Sequence, residues 1–372
     1  MKKNIAPFCF ALAGMLVGGA TGHAADSMTL KDAYQNDFLI GVAINRSQFF
    51  DEDQRGNPII KAQFNSISPE NILKWESVHP APGTYDFTGP DRYVEFGEQN
   101  HMAIIGHNLI WHNQTPRWVF EDAQGMPVSR DVLLQRMHDH IFTVVGHYKG
   151  RIKGWDVVNE ALNEDGTLRK SQWQKIIGDD YIEKAFQYAH EADPQAELHY
   201  NDYSLENVPK RNGAIALIKK LQADGILITA IGLQGHVKMD WPTPEQEDET
   251  ISAFARLGVK VMITELDVDV VPATQHNRTA DIAANARQTS GSNTYTNGLP
   301  DSAQQALADR YASLFKVFLK HRDVITRVTF WDVTDGDSWL NSPDRVNYPL
   351  LFDRDGRPKL AFYRVIQVAQ EQ

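Results

Sequence analysis

The feature that most constrains the fold is a regular alternation of short apolar runs with longer segments of helical periodicity. Short apolar runs bounded by polar residues are typical of buried strands, and strand–helix alternation predicts a parallel sheet. We predict eight strands, at 38–43, 63–68, 103–107, 152–158, 197–200, 228–233, 260–264 and 325–330. We predict helices at 131–148, 180–191, 212–222, 244–257 and 302–321. Eight such strands, with no linker between them, favour a single α/β domain closed into a (β/α)8 TIM barrel.

The predicted strands end in polar or aromatic side chains. In a parallel α/β barrel, the carboxyl ends of the strands meet at one face, and this face carries the chemistry. A purely structural face would not need so many polar groups, so the sequence predicts a polar cleft there. These residues are Asn45, Glu70, Asn71, His107, Asn159, Glu160, Asn201, Asp202, Gln234, His236, Glu265, Asp267, Trp331 and Asp332.

Two of the apolar runs lead into a glutamate, in the sequences WDVVNE (155–160) and ITELD (263–267). In one barrel, Glu160 and Glu265 could face each other across a single cleft. A pair of carboxyls about 5–5.5 Å apart is what hydrolysis of a sugar–sugar bond with retention requires. Like charges that close raise one pKa, which keeps one group protonated. A lone glutamate would more simply cap a helix or pair with a lysine, but two among other polar strand ends favour catalysis.

The N-terminus predicts export. Residues 1–24 begin with two lysines, continue with a short apolar core and end in Gly-His-Ala, as a secretory signal peptide does. The only cysteine, Cys9, lies inside this segment, so residues 25–372 would hold no disulfide. Removal of the two lysines takes the formal charge from −11 to −13, which disfavours nucleic acid and anionic membranes as partners. We expect a soluble, periplasmic or extracellular domain that does not insert into membranes; its oligomeric state stays open.

The two glutamate motifs resemble the signatures of glycoside hydrolase family 10, the endo-β-1,4-xylanases. The resemblance continues, in the family's order and approximate spacing, through SPENILKW (68–75), GHNLIWH (106–112), LQGH (233–236), and FW (330–331) with Trp339. It covers nearly all of residues 25–372. It implies a (β/α)8 barrel that cleaves internal β-1,4 bonds of xylan and xylo-oligosaccharides with retention and without a cofactor.

By this resemblance, Glu160 is the acid/base and Glu265 is the nucleophile. Asn159, directly before the acid, could hold the 2-hydroxyl of the sugar being cleaved. His236 and Asp267 match residues that serve the nucleophile: a histidine held by one carboxylate can donate its other N–H to the second. The plainer alternatives are a structural asparagine and a core histidine.

The resemblance also implies a set of substrate-binding residues. The charged pair Glu70 and Lys74 could instead be an i,i+4 ion pair on a helix. The tryptophans could instead be core packing, the usual fate of that residue, although the polar surroundings of Trp331 and Trp339 favour walls against sugar faces. The set is Glu70, Asn71, Lys74, His107, Trp111, Gln234, Trp331 and Trp339.

Three further alternatives depend on the same strand ends. His107, His112, His236 and Asp267 could hold a zinc ion, but we predict no metal because the two glutamates already supply the chemistry. The chain could act on another polymer, such as a β-glucan, or bind sugars without cleaving them. Two departures from the family bear on the cleft: Asp332 stands where many members have glycine, and a long polar loop spans 272–300.

Overall fold

The computed structural model describes residues 28–271 and 295–371, and a barrel of parallel strands lies at its centre. The strands are β1 (Leu39–Ile44), β2 (Ser66–Pro69), β3 (Ala103–Ile110), β4 (Gly154–Asn159), β5 (Glu197–Asp202), β6 (Ala230–Leu233), β7 (His236–Lys238), β8 (Lys260–Asp269) and β9 (Ile325–Phe330). Strands β1 to β6 pair in chain order, β9 pairs with both β1 and β8, and a β6–β8 pairing closes the barrel. The short β7 pairs only with the far end of β8. The predicted (β/α)8 barrel is therefore confirmed.

Helices surround the barrel and cover it with their apolar faces. They are α1 (Leu30–Ala33), α2 (Arg46–Phe49), α3 (Gly56–Gln63), α4 (Trp75–Val78), α5 (Thr88–Gln99), α6 (Arg130–His147), α7 (Gln172–Ile177), α8 (Tyr181–Ala192), α9 (Val208–Ala223), α10 (Pro244–Ala255), α11 (Asp301–Lys320) and α12 (Leu360–Gln370). Side-chain caps fix several helix starts: the Thr243 and Gln246 side chains form a reciprocal capping box at α10. In the part of the chain that the structure describes, no helix combines the length and apolarity needed to cross a bilayer.

All the predicted strands and helices are present, but some boundaries are wrong. The second predicted strand begins too early, because Gln63 is the last residue of α3 and β2 starts at Ser66. The strand that carries Glu265 runs on to Asp269, five residues beyond the prediction. The predicted signal peptide, 1–24, and residues 272–294 of the predicted loop lie outside the described residues.

One close approach inside the barrel wall requires a glycine. Gly106 of β3 pairs in register with Trp155 of β4. The Trp155 indole, 1% exposed, fills the space that a side chain at position 106 would take. A Cβ at position 106 would lie 2.1 Å from Trp155 Cε3. The GHNLIWH motif therefore begins with glycine because the indole of the neighbouring strand lies against it.

We expect Gly106→Ala to lower the free energy of unfolding by about 3 kcal/mol, because the rigid indole and its strand must move to admit a methyl group. Gly146→Ala is the matched control, since a Cβ at this position of α6 meets nothing within 4 Å. That substitution should be neutral or stabilise by roughly 0.5 kcal/mol. Urea denaturation of both variants measures the difference, and equal stabilities would contradict the account of this contact.

Candidate active site

A cleft of about 290 Å³ opens at the carboxyl ends of the barrel strands. It is lined by every residue that the sequence assigns to the site except Asp267, which lies behind His236. Gln114, Asp332 and Asp337 also line the cleft, although the sequence gives them no binding role. The predicted residues that it brings together are Glu70, Asn71, Lys74, His107, Trp111, Asn159, Glu160, Gln234, His236, Glu265, Trp331 and Trp339.

Glu160 stands at the turn that follows β4, and its backbone is in the left-handed region, with φ 55°. Backbone strain of this kind clusters at functional sites. Trp111 Nε1 donates to Glu160 Oε2 at 2.9 Å, and Gln234 Nε2 donates to Oε1 at 3.0 Å. The Glu160 side chain is therefore held by the residues that directly follow β3 and β6, and the sequence predicts neither contact.

The surroundings of Glu160 favour its protonated form. Burial raises the pKa of this carboxyl above its usual range, and the negative charge of Asp202 raises it further. The hydrogen bonds from Gln234 and Trp111 oppose these effects, and the charge of Glu265 adds to them. A carboxylic acid kept neutral in this way can donate a proton.

Glu265 has the opposite surroundings. Burial alone would raise its pKa, but a hydrogen bond from His236 and the charges of His107 and His236 hold the pKa below its usual range. His236 Nε2 lies 3.1 Å from Glu265 Oε2, and His236 Nδ1 lies 2.9 Å from Asp267 Oδ2. Burial disfavours the imidazolium, yet these two carboxylates raise the pKa of His236 to about 10. Glu265 is therefore an ionised carboxylate held by a cation.

Asn201, at the end of β5, joins the two halves of the site. Its Nδ2 donates to Glu265 Oε1 at 2.8 Å and to Asn159 Oδ1 at 2.9 Å, and Thr264 Oγ1 donates to its Oδ1 at 2.6 Å. Its backbone carbonyl accepts the N–H of Glu160 at 2.9 Å. The sequence places Asn201 among the polar strand ends but assigns it no role. Its position at a strand end was the sequence signal that pointed to the site.

The cation of Lys74 lies in the same cleft as the two glutamates. Lys74 Nζ donates to Asn71 Oδ1 at 2.9 Å and lies 4.9 Å from the centroid of the Trp111 ring. Burial lowers the pKa of Lys74, opposed by the charges of Glu265 and Glu160. Residues 70–74 are not helical and α4 begins only at Trp75, so the alternative of an i,i+4 pair on a helix is wrong.

Two tryptophans bound the cleft and contact its histidines. Trp339 packs on His236, with ring centroids 4.9 Å apart, and Trp331 packs on His107 at 5.5 Å. Trp339 Nε1 also donates to Asp267 Oδ2 at 2.7 Å. The Trp339 indole is therefore bonded to the same carboxylate that binds His236. Both rings border the cleft rather than the interior of the core.

Asp156, inside β4, binds His107, and the sequence analysis assigns it no role in the site. Its Oδ2 lies 2.9 Å from His107 Nδ1, and its Oδ1 lies 3.2 Å from His199 Nδ1. Burial would raise the pKa of Asp156, but the bonds to the two histidines keep it well below its usual range.

Among residues 28–271 and 295–371, no group of three or more His, Cys, Asp or Glu side chains is placed to hold a metal ion.

The fold and the site define a class of protein. Two glutamates face a single cleft of a parallel barrel. The surroundings of Glu160 keep it protonated and those of Glu265 keep it ionised, which is the arrangement found in a glycoside hydrolase. The chain belongs to glycosyl hydrolase family 10, whose family model matches residues 29–368.

Relatives and solved structures agree with this assignment. Endo-1,4-beta-xylanase A of Xylanibacter ruminicola is 42% identical over 98% of this chain and 99% of its own length. A family 10 endoxylanase from a sugarcane soil metagenome has a TM-score of 0.84 at 42% identity, covering 92% of this chain and 99% of that one. A mutant of an intracellular xylanase from Thermoanaerobacterium saccharolyticum, in complex with xylotriose, has a TM-score of 0.80 at 37% identity, covering 90% and 97%.

We expect Asp267→Asn to move the acid limb of the pH profile of kcat/KM to higher pH by about one unit. Without the Asp267 charge, His236 is less often cationic, so the pKa of Glu265 rises and the ionised form appears later. Asp269→Asn is the control, because Asp269 lies on the same strand but binds Arg345 instead of His236. An acid limb that stays in place in Asp267→Asn contradicts this role for the histidine.

Proposed function

We propose that the chain is an endo-1,4-β-xylanase that hydrolyses internal β-1,4-xylosidic bonds by double displacement, with retention. The observation that carries this proposal is the pair Glu160 and Glu265, which face one cleft with their pKa values displaced in opposite directions. The xylanase names of the relatives support the substrate class.

Glu265 is assigned the nucleophile. Its carboxylate attacks the anomeric carbon and forms a glycosyl-enzyme while His236, bonded to Oε2, and Asn201, bonded to Oε1, fix its two oxygens. Glu160 protonates the leaving oxygen in this first step. It then takes a proton from the water that hydrolyses the intermediate, so the proton returns to Glu160 at the end of the cycle.

The remaining cleft residues are assigned to a neutral polymer. Glu70, Asn71 and Lys74 supply charged and amide groups for sugar hydroxyls, and His107 lies beside them in the cleft. Asn159 Nδ2 lies 3.4 Å from Glu160 Oε1, so a weak contact leaves this amide able to donate to a 2-hydroxyl. Trp331 and Trp339 present indole groups against the sugar faces, and Trp111 and Gln234 act through Glu160.

The N-terminal sequence supports a further part of the proposal, that residues 1–24 direct export and are removed. The basic start and the apolar core that follows it carry this inference. Mass spectrometry of the exported protein checks it: a chain that begins at Ala25 agrees, and an exported chain that keeps residues 1–24 contradicts it.

We expect Glu265→Ala to abolish hydrolysis of both xylan and aryl xylosides, because no nucleophile remains. Glu160→Ala should lose activity on xylan and keep more of it on activated aryl xylosides, since a good leaving group needs less acid help. The loss on xylan should be on the order of 100-fold to 10,000-fold, the usual size of general acid catalysis. Initial rates on both substrates measure the difference.

Glu183→Gln is the matched control, because Glu183 is a buried glutamate of α8 that pairs with Lys220 outside the cleft. It should keep wild-type rates. Equal losses on both substrates in Glu160→Ala would count against its role as the acid. Higher reducing-sugar release from carboxymethylcellulose than from xylan would favour a β-glucanase, and binding of xylo-oligosaccharides without turnover would favour a sugar-binding protein.

A further inference from the structure

The chain makes a strained turn directly after β4, at the residue assigned as the acid/base. Glu160 has φ 55°, a left-handed conformation that costs free energy for a residue with a side chain. Rotation about its N–Cα bond would swing the side chain away from Trp111 and Gln234, which hold the carboxyl. The direction of this carboxyl therefore depends on the contacts that hold the backbone of the turn.

The neighbouring strand holds the first half of the turn. β4 and β5 pair in register at Asn159 and Asn201. The N–H of Glu160 then donates to the backbone carbonyl of Asn201 at 2.9 Å. Because this bond joins two backbone groups, it follows from the sheet and needs no particular side chain.

A tyrosine side chain of β5 holds the second half of the turn. The N–H of Ala161 donates to the Tyr200 hydroxyl at 3.1 Å, and both residues are buried. Tyr200 pairs with Val158 in the sheet, so its ring extends beyond its own register partner to reach the turn. A buried N–H without an acceptor would be costly, so this hydroxyl helps to keep the turn in place.

Asp202 fixes the orientation of the Tyr200 hydroxyl. The Tyr200 O–H donates to Asp202 Oδ2, and a carboxylate can only accept, so a lone pair of the hydroxyl oxygen is left for the Ala161 N–H. Burial raises the pKa of Tyr200 well above its usual range, and the charge of Asp202 adds to this, so the hydroxyl keeps its proton. Lys210 Nζ lies 2.9 Å from Asp202 Oδ1, and both side chains are fully buried. The lysine cation therefore compensates the buried charge of the carboxylate.

Arg169 holds the carbonyl groups of the same turn. Its Nε donates to the backbone carbonyl of Glu160 at 3.2 Å, and its backbone N–H donates to that of Ala161 at 2.7 Å. Its Nη2 also donates to the Tyr203 hydroxyl at 2.8 Å. Tyr200 and Arg169 therefore bind the turn through its backbone, one from β5 and the other from the segment that follows the turn.

We propose that Tyr200 and Arg169 are positioning residues for the acid/base: they hold the backbone of the turn at 160–161 and so direct the Glu160 carboxyl at the leaving oxygen. This inference rests on the proposed glycosidase function. Without these bonds the left-handed backbone relaxes, and the carboxyl moves away from the point of proton transfer. Formation of the glycosyl-enzyme then slows according to how much acid help the leaving group needs.

Aryl β-xylobiosides that share the same sugar part and differ in the leaving group test the proposal. Phenol is the poor leaving group and dinitrophenol the good one. In Tyr200→Phe, kcat/KM on the phenyl substrate should fall by about tenfold to about 100-fold, because a small misplacement of a catalytic group has effects of this size. On the dinitrophenyl substrate it should stay within about threefold of the wild type, since this leaving group needs little acid help. The ratio of the two values does not depend on the concentration of active protein.

Arg169→Met tests the carbonyl side of the turn and should show the same selective loss. Arg169 is only partly buried, so the fold should tolerate this variant even if it does not tolerate Tyr200→Phe, and the ratio in Arg169→Met then decides. A merely structural hydroxyl or guanidinium would lower both rates together, or only the Tm. A loss of equal size on both substrates, or no loss, therefore overturns the positioning role of the substituted residue.

Two control variants remove the same chemical groups outside the cleft. Tyr34→Phe removes a buried hydroxyl that donates to the backbone carbonyl of Val365 at 2.7 Å. Arg136→Met removes a guanidinium that donates to the backbone carbonyls of Val119 and Glu121, each at 3.1 Å. Both controls should keep the wild-type ratio, even if their Tm falls. The proposal stands if the selective loss is absent from both controls, and it is overturned if they share it.

Amide hydrogen exchange gives a readout that needs no substrate. The N–H of Ala161 should exchange slowly in the wild type and faster in Tyr200→Phe, because its acceptor is lost. Mass spectrometry of the peptide that contains Ala161 measures this, and unchanged exchange in the variant contradicts the hydroxyl contact. A wild-type chain that hydrolyses no xyloside would end the proposed function and leave the exchange difference in place, whereas hydrolysis without the selective loss would overturn the positioning role alone.

Discussion

The ion pair between His236 and two carboxylates is the interaction on which the rest of the site depends. Glu265 is 6% exposed, and burial at that level favours a neutral acid that could not attack an anomeric carbon. His236 reverses this preference because it is bonded to Glu265 on one side and to Asp267 on the other. The second carboxylate keeps the imidazole cationic, and the cation keeps Glu265 ionised.

The same burial raises the pKa of Glu160 and is not reversed there, because no cation among the described residues is bonded to this carboxyl. Its partners are the neutral donors Trp111 and Gln234, and these cannot compensate for lost solvation as a full charge does. The pKa values of two similar, deeply buried glutamates therefore separate because one has an imidazolium for a neighbour and the other does not. Asn201 contacts both halves, so the separation is maintained within one rigid group of strand ends.

The barrel and its polar strand ends could be predicted because both follow from patterns local in the chain, whereas Lys74, Trp111 and Trp339 were predicted only through the resemblance to the family. Apolar runs with polar ends predict the strands and the face where Glu160 and Glu265 meet. The helix α12 could not be predicted in this way, because its aromatic and β-branched residues favour strands, and it is packing against α11 and α1 that stabilises it as a helix. Glu70 and Asp332 follow β2 and β9, which lie on either side of β1, and the sequence alone gives no measure of their proximity in the cleft.

The proposed mechanism requires that Glu265 become covalently bound to the sugar. A 2-deoxy-2-fluoro-xylobioside with a good leaving group tests it most directly, because the fluorine slows both steps and the leaving group lets the first one proceed, so the intermediate accumulates. Digestion and mass spectrometry should then find one added xylobiosyl group on the peptide that contains Glu265 and none on the peptide that contains Glu160. A label on Glu160, or inactivation without any covalent adduct, would contradict the account.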